Sequence, residues 1–171
     1  MGLFSKKTPE EKQQKKEATA MFLGDALQPI GKIAINSPCG LSLKPDQRAL
    51  NIHHDKTDIT LPYERIKSFK VENETTLAKA GSGLGGAIVG GVLFGGAGAI
   101  VGQNAKKGKT NIKWIGTLTY EDKEGNLQTL SFIERGLTGL YEGENKSYSS
   151  SNFENIVNKI ASDNSEDISE L

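Results

Sequence analysis

A glycine-rich segment contains a pattern that in other proteins binds dinucleotides. Gly81, Gly83 and Gly86 fit G-x-G-x-x-G, in which a strand turns into a helix whose N-terminus meets a pyrophosphate. That site also needs a βαβ unit and an acidic residue about 20 residues further on to hold the ribose. Residues 100–109 contain neither Asp nor Glu. Because ten of the 22 residues from Gly81 to Gly102 are glycines, a chance match is expected.

The end of this segment is similar to a phosphate-binding loop but is one residue too long. The motif requires four residues between its first glycine and Gly-Lys-Thr, whereas five residues separate Gly102 from Gly108. The extra residue changes which backbone N–H groups converge on a phosphate. A nucleotide-binding enzyme is therefore the weakest of three functions that the sequence suggests.

The remaining side chains that could do chemistry are few. His53 and His54 are adjacent, so on a strand they point to opposite faces and do not bind one metal ion together. Cys39, the single cysteine, stands in Ser-Pro-Cys-Gly and is expected in a turn. Glu134 and Arg135 are expected to be a solvated pair. No Ser/His/Asp or Cys/His arrangement is supported, so we predict no catalytic residues, no metal site and no cofactor.

Composition narrows the partners and the compartment. Lys and Arg together number 21, as do Asp and Glu, so no global field favours nucleic acid. A single cysteine in a lysine-rich chain suits a reducing cytoplasm. The first 20 residues contain no apolar core long enough for a secretory signal. We expect a cytoplasmic protein without a nucleic-acid partner.

The N-terminal part is predicted to be a polar helix and lead-in over residues 1–29. Thr8 as N-cap, Pro9 at the first helical position and Glu11 three residues after the cap form a helix-start signature, and the helix should reach about Phe22. Most of its residues are polar, which indicates a solvated element. An alternative is a basic arm on anionic lipid, with Leu3 and Phe4 entering the interface.

Alternating apolar and polar residues predict seven short strands after this lead-in. Turn residues separate most of them, which indicates an antiparallel meander. The last two strands are joined by a turn at 124–126, and Trp114 is expected in the core. The seven predicted strands cover residues 32–36, 41–44, 48–54, 58–62, 66–72, 110–122 and 127–134.

The last predicted element is an amphipathic helix that begins at Ser151, where Glu154 completes a capping box. Its apolar residues recur at i, i+3, i+4 and i+7, which gives one narrow face to bury. Residues 162–171 are acidic and are expected to be a disordered tail. The folded domain is thus predicted over 30–161, with an insertion at 76–110. The apolar face consists of Phe153, Ile156, Val157 and Ile160.

Seven antiparallel strands followed by one amphipathic helix is the element order of the pleckstrin-homology-like (PH-like) barrel, whose helix closes one end. The stretches ITLPYERIKSFKVENET and IKWIGTLTYEDKEGNLQTLSF, with Leu61, Pro62, Tyr63 and Ile66 in the first, resemble bacterial PH proteins of the YokE-like kind. The resemblance implies a non-enzymatic binding or scaffold module. Several relatives also carry a glycine-zipper hairpin between strands 5 and 6. Lipid-binding members use basic residues in the loop between the first two strands, and here that loop, expected to be Ser-Pro-Cys-Gly, has none.

The spacing of small residues in the glycine-rich segment indicates close packing against a second backbone. Residues 80–105 carry no charge, and small residues recur every fourth position, as in helix-packing motifs. One continuous helix of that length would span about 30 Å of hydrocarbon, but the flanking strands then lie on opposite sides of a membrane. We therefore predict a glycine-rich helical hairpin that breaks at 95–96. The residues assigned to its packing surface are Gly86, Gly90, Gly91, Gly95, Gly98 and Gly102.

Together these features predict an α+β, mainly β fold and a function in association. The leading hypothesis is a module that self-associates or attaches to the inner face of the cell membrane, as a peripheral or re-entrant protein. Lys79, Lys106, Lys107 and Lys109 flank the uncharged segment and are candidate contacts for anionic lipid. The alternative is a soluble PH-like adaptor that binds a protein partner, with a purely structural hairpin.

Overall fold

The computed structural model describes residues 8–73 and 112–169, which form a mainly β structure with two α-helices. Short 3-10 turns at Pro45–Gln47 and Tyr63–Arg65 connect some of the strands. In chain order the elements are helix α1 (Pro9–Thr19), strands β1 (Met21–Ala26), β2 (Pro38–Lys44), β3 (Ala49–His54), β4 (Thr57–Pro62), β5 (Ile66–Asn73), β6 (Trp114–Glu121), β7 (Leu127–Gly136) and β8 (Gly139–Leu140), and helix α2 (Tyr148–Ser169).

The strands form one open antiparallel sheet in the order β4-β3-β2-β1-β7-β6-β5, and the short β8 pairs with β7. Short turns join β3 to β4 and β6 to β7. The turn between β6 and β7 is the predicted one: Gly125 has a φ of 83°, and Asp122 accepts hydrogen bonds from the backbone N–H groups of Glu124 and Asn126. A mainly β, α+β fold with a C-terminal helix is therefore confirmed.

The N-terminal region differs from the prediction after residue 19. The capping box is confirmed, since Thr8 N–H donates to Glu11 and Glu11 N–H donates to Thr8 Oγ1. The helix ends at Thr19, however, and Met21–Ala26 is a central strand between β2 and β7. The residues assigned to a lead-in thus supply the middle of the sheet. The inner face of β1 was inconspicuous because Gly24 and Ala26 follow Phe22 on it.

The prediction of a first strand at residues 32–36 is wrong. These residues belong to the connection between β1 and β2, in which Ile30 and Ile33 form an isolated bridge and Asn36 has a φ of 62°. The apolar pattern at Ile30 and Ile33 reflects their burial in the core and not a place in a strand. Cys39 correspondingly lies in β2, where it is buried, and not in a turn.

Four phenyl rings form the centre of the core. Phe22 of β1 contacts Phe69 of β5, Phe132 of β7 and Phe153 of α2, with ring centroids 5.2, 6.5 and 6.3 Å apart. Such pairs contribute about 0.5 to 1.5 kcal/mol each beyond their buried area. Gly116 leaves room for the rings, because a Cβ atom there would lie 2.7 Å from both Phe22 and Phe69. The core therefore joins distant strands and the C-terminal helix.

Helix α2 is longer at both ends than predicted. It begins at Tyr148, and the N–H of Ser150 donates to Ser147 Oγ, which makes Ser147 the N-cap in place of Ser151. The apolar face that was predicted for this helix is buried. Residues 162–169, expected to be a disordered tail, continue the helix. A tertiary contact supports this part, since Asn164 Nδ2 donates to the carbonyl of Tyr63 at 2.7 Å.

Side chains on α2 and just before it form hydrogen bonds with the outward-facing peptide groups on the free edge of β5. The amide of Asn158 accepts from the N–H of Phe69 and donates to its carbonyl, both at 2.8 Å. Glu154 accepts from the N–H of Val71 at 3.0 Å, and Lys146 donates to the carbonyl of Val71 at 3.3 Å. Lys146 also pairs with Glu154. The outward peptide groups of both β5 residues are thus bonded to side chains and not to a further strand.

The Asn158→Leu variant tests this edge. Leucine has a similar size but no hydrogen-bonding group, so Phe69 loses partners for its N–H and its carbonyl. Each unsatisfied buried group costs about 1 to 3 kcal/mol, and we expect the free energy of unfolding to fall by about 2 to 4 kcal/mol in chemical denaturation. Asn155→Leu, on the exposed side of the same helix, should change it by less than about 0.5 kcal/mol. Equal losses in both variants would contradict a specific role for Asn158.

Candidate interaction surface

The insertion leaves and re-enters the sheet at one point. Asn73, the last residue of β5, pairs directly with Trp114, the first residue of β6. Residues 74–113 connect these two strand ends, and 74–111 of them lie outside the described residues. Because residues paired in an antiparallel ladder have Cα atoms about 4.5 to 5.5 Å apart, both ends of the insertion start from the same place. We call the pair Asn73 and Trp114 the root of the insertion.

The strand that follows the insertion is held firmly where it begins. Trp114 is buried, as predicted, and its Nε1–H donates to the carbonyl of Gly143 at 2.9 Å. The N–H of Gly143 in turn donates to the carbonyl of Ile112 at 3.3 Å. The backbones of Lys113 and Glu142 form an isolated antiparallel β-bridge. The segment between β8 and α2 therefore fixes the backbone on one side of the root.

The candidate residues of the insertion lie outside the described residues. This holds for the six glycines of the predicted packing surface, and the predictions for them stay predictions. It also holds for the four candidate lipid contacts, Lys79, Lys106, Lys107 and Lys109. Lys113, which follows them in the sequence, is buried.

A shallow depression of about 640 Å³ lies on the face of β1, β2 and β3 that points away from the core. His53 and His54 both border it, but their rings have different partners: His53 Nδ1 lies 2.8 Å from Asp58 Oδ1, and His54 Nδ1 lies 2.7 Å from the carbonyl oxygen of Pro38. Within the described ranges, no three His, Cys, Asp or Glu side chains are arranged to hold a metal ion.

Glu134 and Arg135 are not the solvated pair that the sequence suggested. Arg135 Nη1 lies 2.8 Å from Asp25 Oδ1 and borders the depression. Glu134 points to the other face of β7, where it is buried and accepts a hydrogen bond of 2.6 Å from Ser150 Oγ. Ser150 lies in the first turn of α2, whose positive dipole end favours a carboxylate. Glu134 therefore fixes the helix start, and its sequence neighbours gave no signal of this role.

Burial raises the pKa of two further side chains, the Cys39 thiol and the Tyr63 hydroxyl. Burial raises the pKa of the Cys39 thiol above its usual range, and the charge of nearby Asp25 adds to this effect. Burial likewise raises the pKa of the Tyr63 hydroxyl, followed by the charge of Glu17. A raised pKa is the opposite of the lowered pKa that activates a thiolate nucleophile.

Comparison of this chain with protein-family models, with curated proteins and with solved structures found no significant match. The fold and its surfaces therefore provide the functional argument. Of the helices in residues 8–73 and 112–169, neither combines the length and the apolar composition that crossing a bilayer requires.

Cys39 offers a direct check of this environment. We expect the native thiol to react with a disulfide reagent such as DTNB about a hundredfold or more slowly than the same thiol in denaturant, because reaction needs local opening. Absorbance of the released thiolate measures both rates. A native rate close to the denatured one would show that Cys39 is accessible, contrary to its burial in β2.

Proposed function

We propose that this chain is a non-enzymatic binding or scaffold module of the PH-like kind, which attaches to the membrane surface or self-associates through a glycine-zipper hairpin. The observation that carries the proposal is the root: Asn73 pairs with Trp114, so the insertion that contains the uncharged segment begins and ends at one point. A single membrane crossing would place these paired residues on opposite sides. A hairpin avoids that conflict, because it returns the chain to its starting side.

The architecture supports the PH-like part of the proposal. Seven strands in one antiparallel path precede a helix whose apolar face enters the core, which is the element order of that barrel. In the structure the connection between β1 and β2 is Leu27–Ser37 and not Ser-Pro-Cys-Gly, and Lys32 is its only basic residue. Recognition of a phosphoinositide by a basic cluster in that loop therefore has little support. The insertion between β5 and β6 is the better candidate for association.

Energetics also favour a partner for the glycine-rich segment. Each glycine inside a helix costs about 0.5 to 1 kcal/mol relative to alanine, so ten glycines cost roughly 5 to 10 kcal/mol in an isolated helix. Close packing of the small residues that recur at every fourth position, which we call the small-residue rows, offsets this cost between the arms of the hairpin or between copies. A bilayer also stabilises helical hydrogen bonds, since unpaired amides are costly there. Flanking lysines add about 1 kcal/mol each near an anionic surface.

Deletion of residues 80–105 tests the proposal. The deleted range contains no charged residue, so the variant keeps its net charge and all four flanking lysines, and six residues before the deletion and eight after it remain to close the loop. We expect it to fold, because the root is already paired, but to lose co-sedimentation with anionic vesicles and any self-association seen by analytical ultracentrifugation. Unchanged vesicle binding and unchanged oligomeric state would overturn the proposal.

Substitution of Gly90 and Gly91 by leucine separates a zipper from a structural hairpin. Leucine side chains hold two backbones apart, so we expect self-association to weaken in sedimentation experiments. The matched control is Val89→Leu with Val92→Leu, which adds bulk beside the small-residue rows. A soluble adaptor with a structural hairpin predicts local misfolding without loss of any association signal.

A further inference from the structure

Large apolar side chains are exposed mainly at the end of the sheet that carries the root. Among the described residues six such side chains are exposed, and four of them lie at this end. Leu137 in the turn between β7 and β8 is 97% exposed, and Tyr148 at the start of α2 is 87% exposed. We define the apolar rim as Met21, Leu137, Leu140 and Tyr148.

Contacts place the members of the rim close to one another. Met21 and Leu137 border the same depression, and Leu140 pairs with Arg135 two residues before Leu137. Ser149 Oγ donates to the carbonyl of Met21 at 2.8 Å, which brings Tyr148 next to the start of β1. The four side chains come from four separate elements or turns, so no single helix or strand pattern reveals them.

The rim lies beside the root. Gly143 follows Leu140 by three residues and donates to the carbonyl of Ile112, near the end of the insertion. The other two exposed apolar residues, Leu127 and Ile35, lie toward the opposite end: Leu127 starts β7, and Ile35 is in the connection that follows β1. Leu127 and Leu137 are ten residues apart along a strand and its turn, or about 30 Å.

We propose that the apolar rim is a second membrane contact, which enters the lipid–water interface around the base of the insertion. This inference rests on the proposed function, since a segment of 40 residues that starts and ends at the root brings this end of the sheet to the bilayer if it inserts there. Exposed leucine and tyrosine side chains are suited to that interface, and Tyr keeps its hydroxyl hydrated.

The charges near the rim indicate that burial of apolar side chains, and not attraction to charged headgroups, holds this surface at the interface. Glu142 and Glu144, beside the root, are exposed and acidic, so attraction to anionic headgroups does not hold this surface. The flanking lysines of the insertion supply that attraction in the proposed function. Binding through the rim should therefore persist at high salt, whereas the contribution of the lysines is screened.

The test compares Leu137 with Leu127, which is also exposed and lies at the other end of β7. Leu137→Cys and Leu127→Cys are labelled in the native full chain with the polarity-sensitive fluorophore NBD, and parent protein treated in the same way reports any labelling of Cys39. On addition of vesicles of phosphatidylglycerol and phosphatidylcholine, we expect a blue shift and a rise in intensity at 137 and no change at 127.

A second pair of variants measures the contribution of the rim to binding. We expect Leu137→Asp to lower the vesicle partition coefficient about tenfold at high salt, because a leucine side chain no longer leaves water, and Leu127→Asp to leave it unchanged. Denaturation curves of both variants should match the parent, since both positions are exposed.

The alternative outcomes are distinct. If the parent binds vesicles but neither the label at 137 nor Leu137→Asp changes, the rim is not a lipid contact and the proposed function stands. If the label at 137 shifts when protein is concentrated without vesicles, the rim contacts a second copy and the lipid contact is wrong. If the parent binds no vesicles, membrane attachment and the rim contact both fail.

Discussion

The structure depends on how the open edge of β5 is satisfied. An unpaired edge exposes peptide groups that recruit other strands, and natural sheets cover or block such edges. Here Glu154 and Asn158, one helical turn or about 6 Å apart, match two strand residues, Val71 and Phe69, about 6.7 Å apart. This match sets the position of α2 along the sheet, and with it the burial of Phe153.

The same helix completes the core and fixes the ends of several strands. Phe153 contacts both Phe22 and Phe69, so the apolar face of α2 is held by the first and fifth strands. The N-terminal turn is held by Glu134 through Ser150, and a later turn by Tyr63 through Asn164. Polar contacts therefore set where the helix lies, while burial of its apolar face supplies most of the stabilisation.

The pairing of Asn73 with Trp114 connects this fold to the proposed function. It lets the sheet form across an insertion of 40 residues, because the strand ends meet whatever the insertion does between them. A loop with its ends already together adds little closure cost as it lengthens. The domain can thus carry a long insertion without a change in its core, as the proposed association through that segment requires.

The sequence by itself determined the elements whose signals are local. The capping box at Thr8, the turn at Gly125 and the apolar face of α2 follow from neighbouring residues, and they are as predicted. Only the tertiary structure decided that Phe22 begins a central strand, that Ile33 fills the core from a loop, and that α2 continues to Ser169. Each of these depends on partners far away in the chain: the ring cluster, the space left by Gly24 and Gly116, and the bond between Asn164 and Tyr63. The candidate site divides in the same way, because glycine spacing is local, whereas the rim forms only when the start of β1, the β7–β8 hairpin and the start of α2 meet at one end of the sheet.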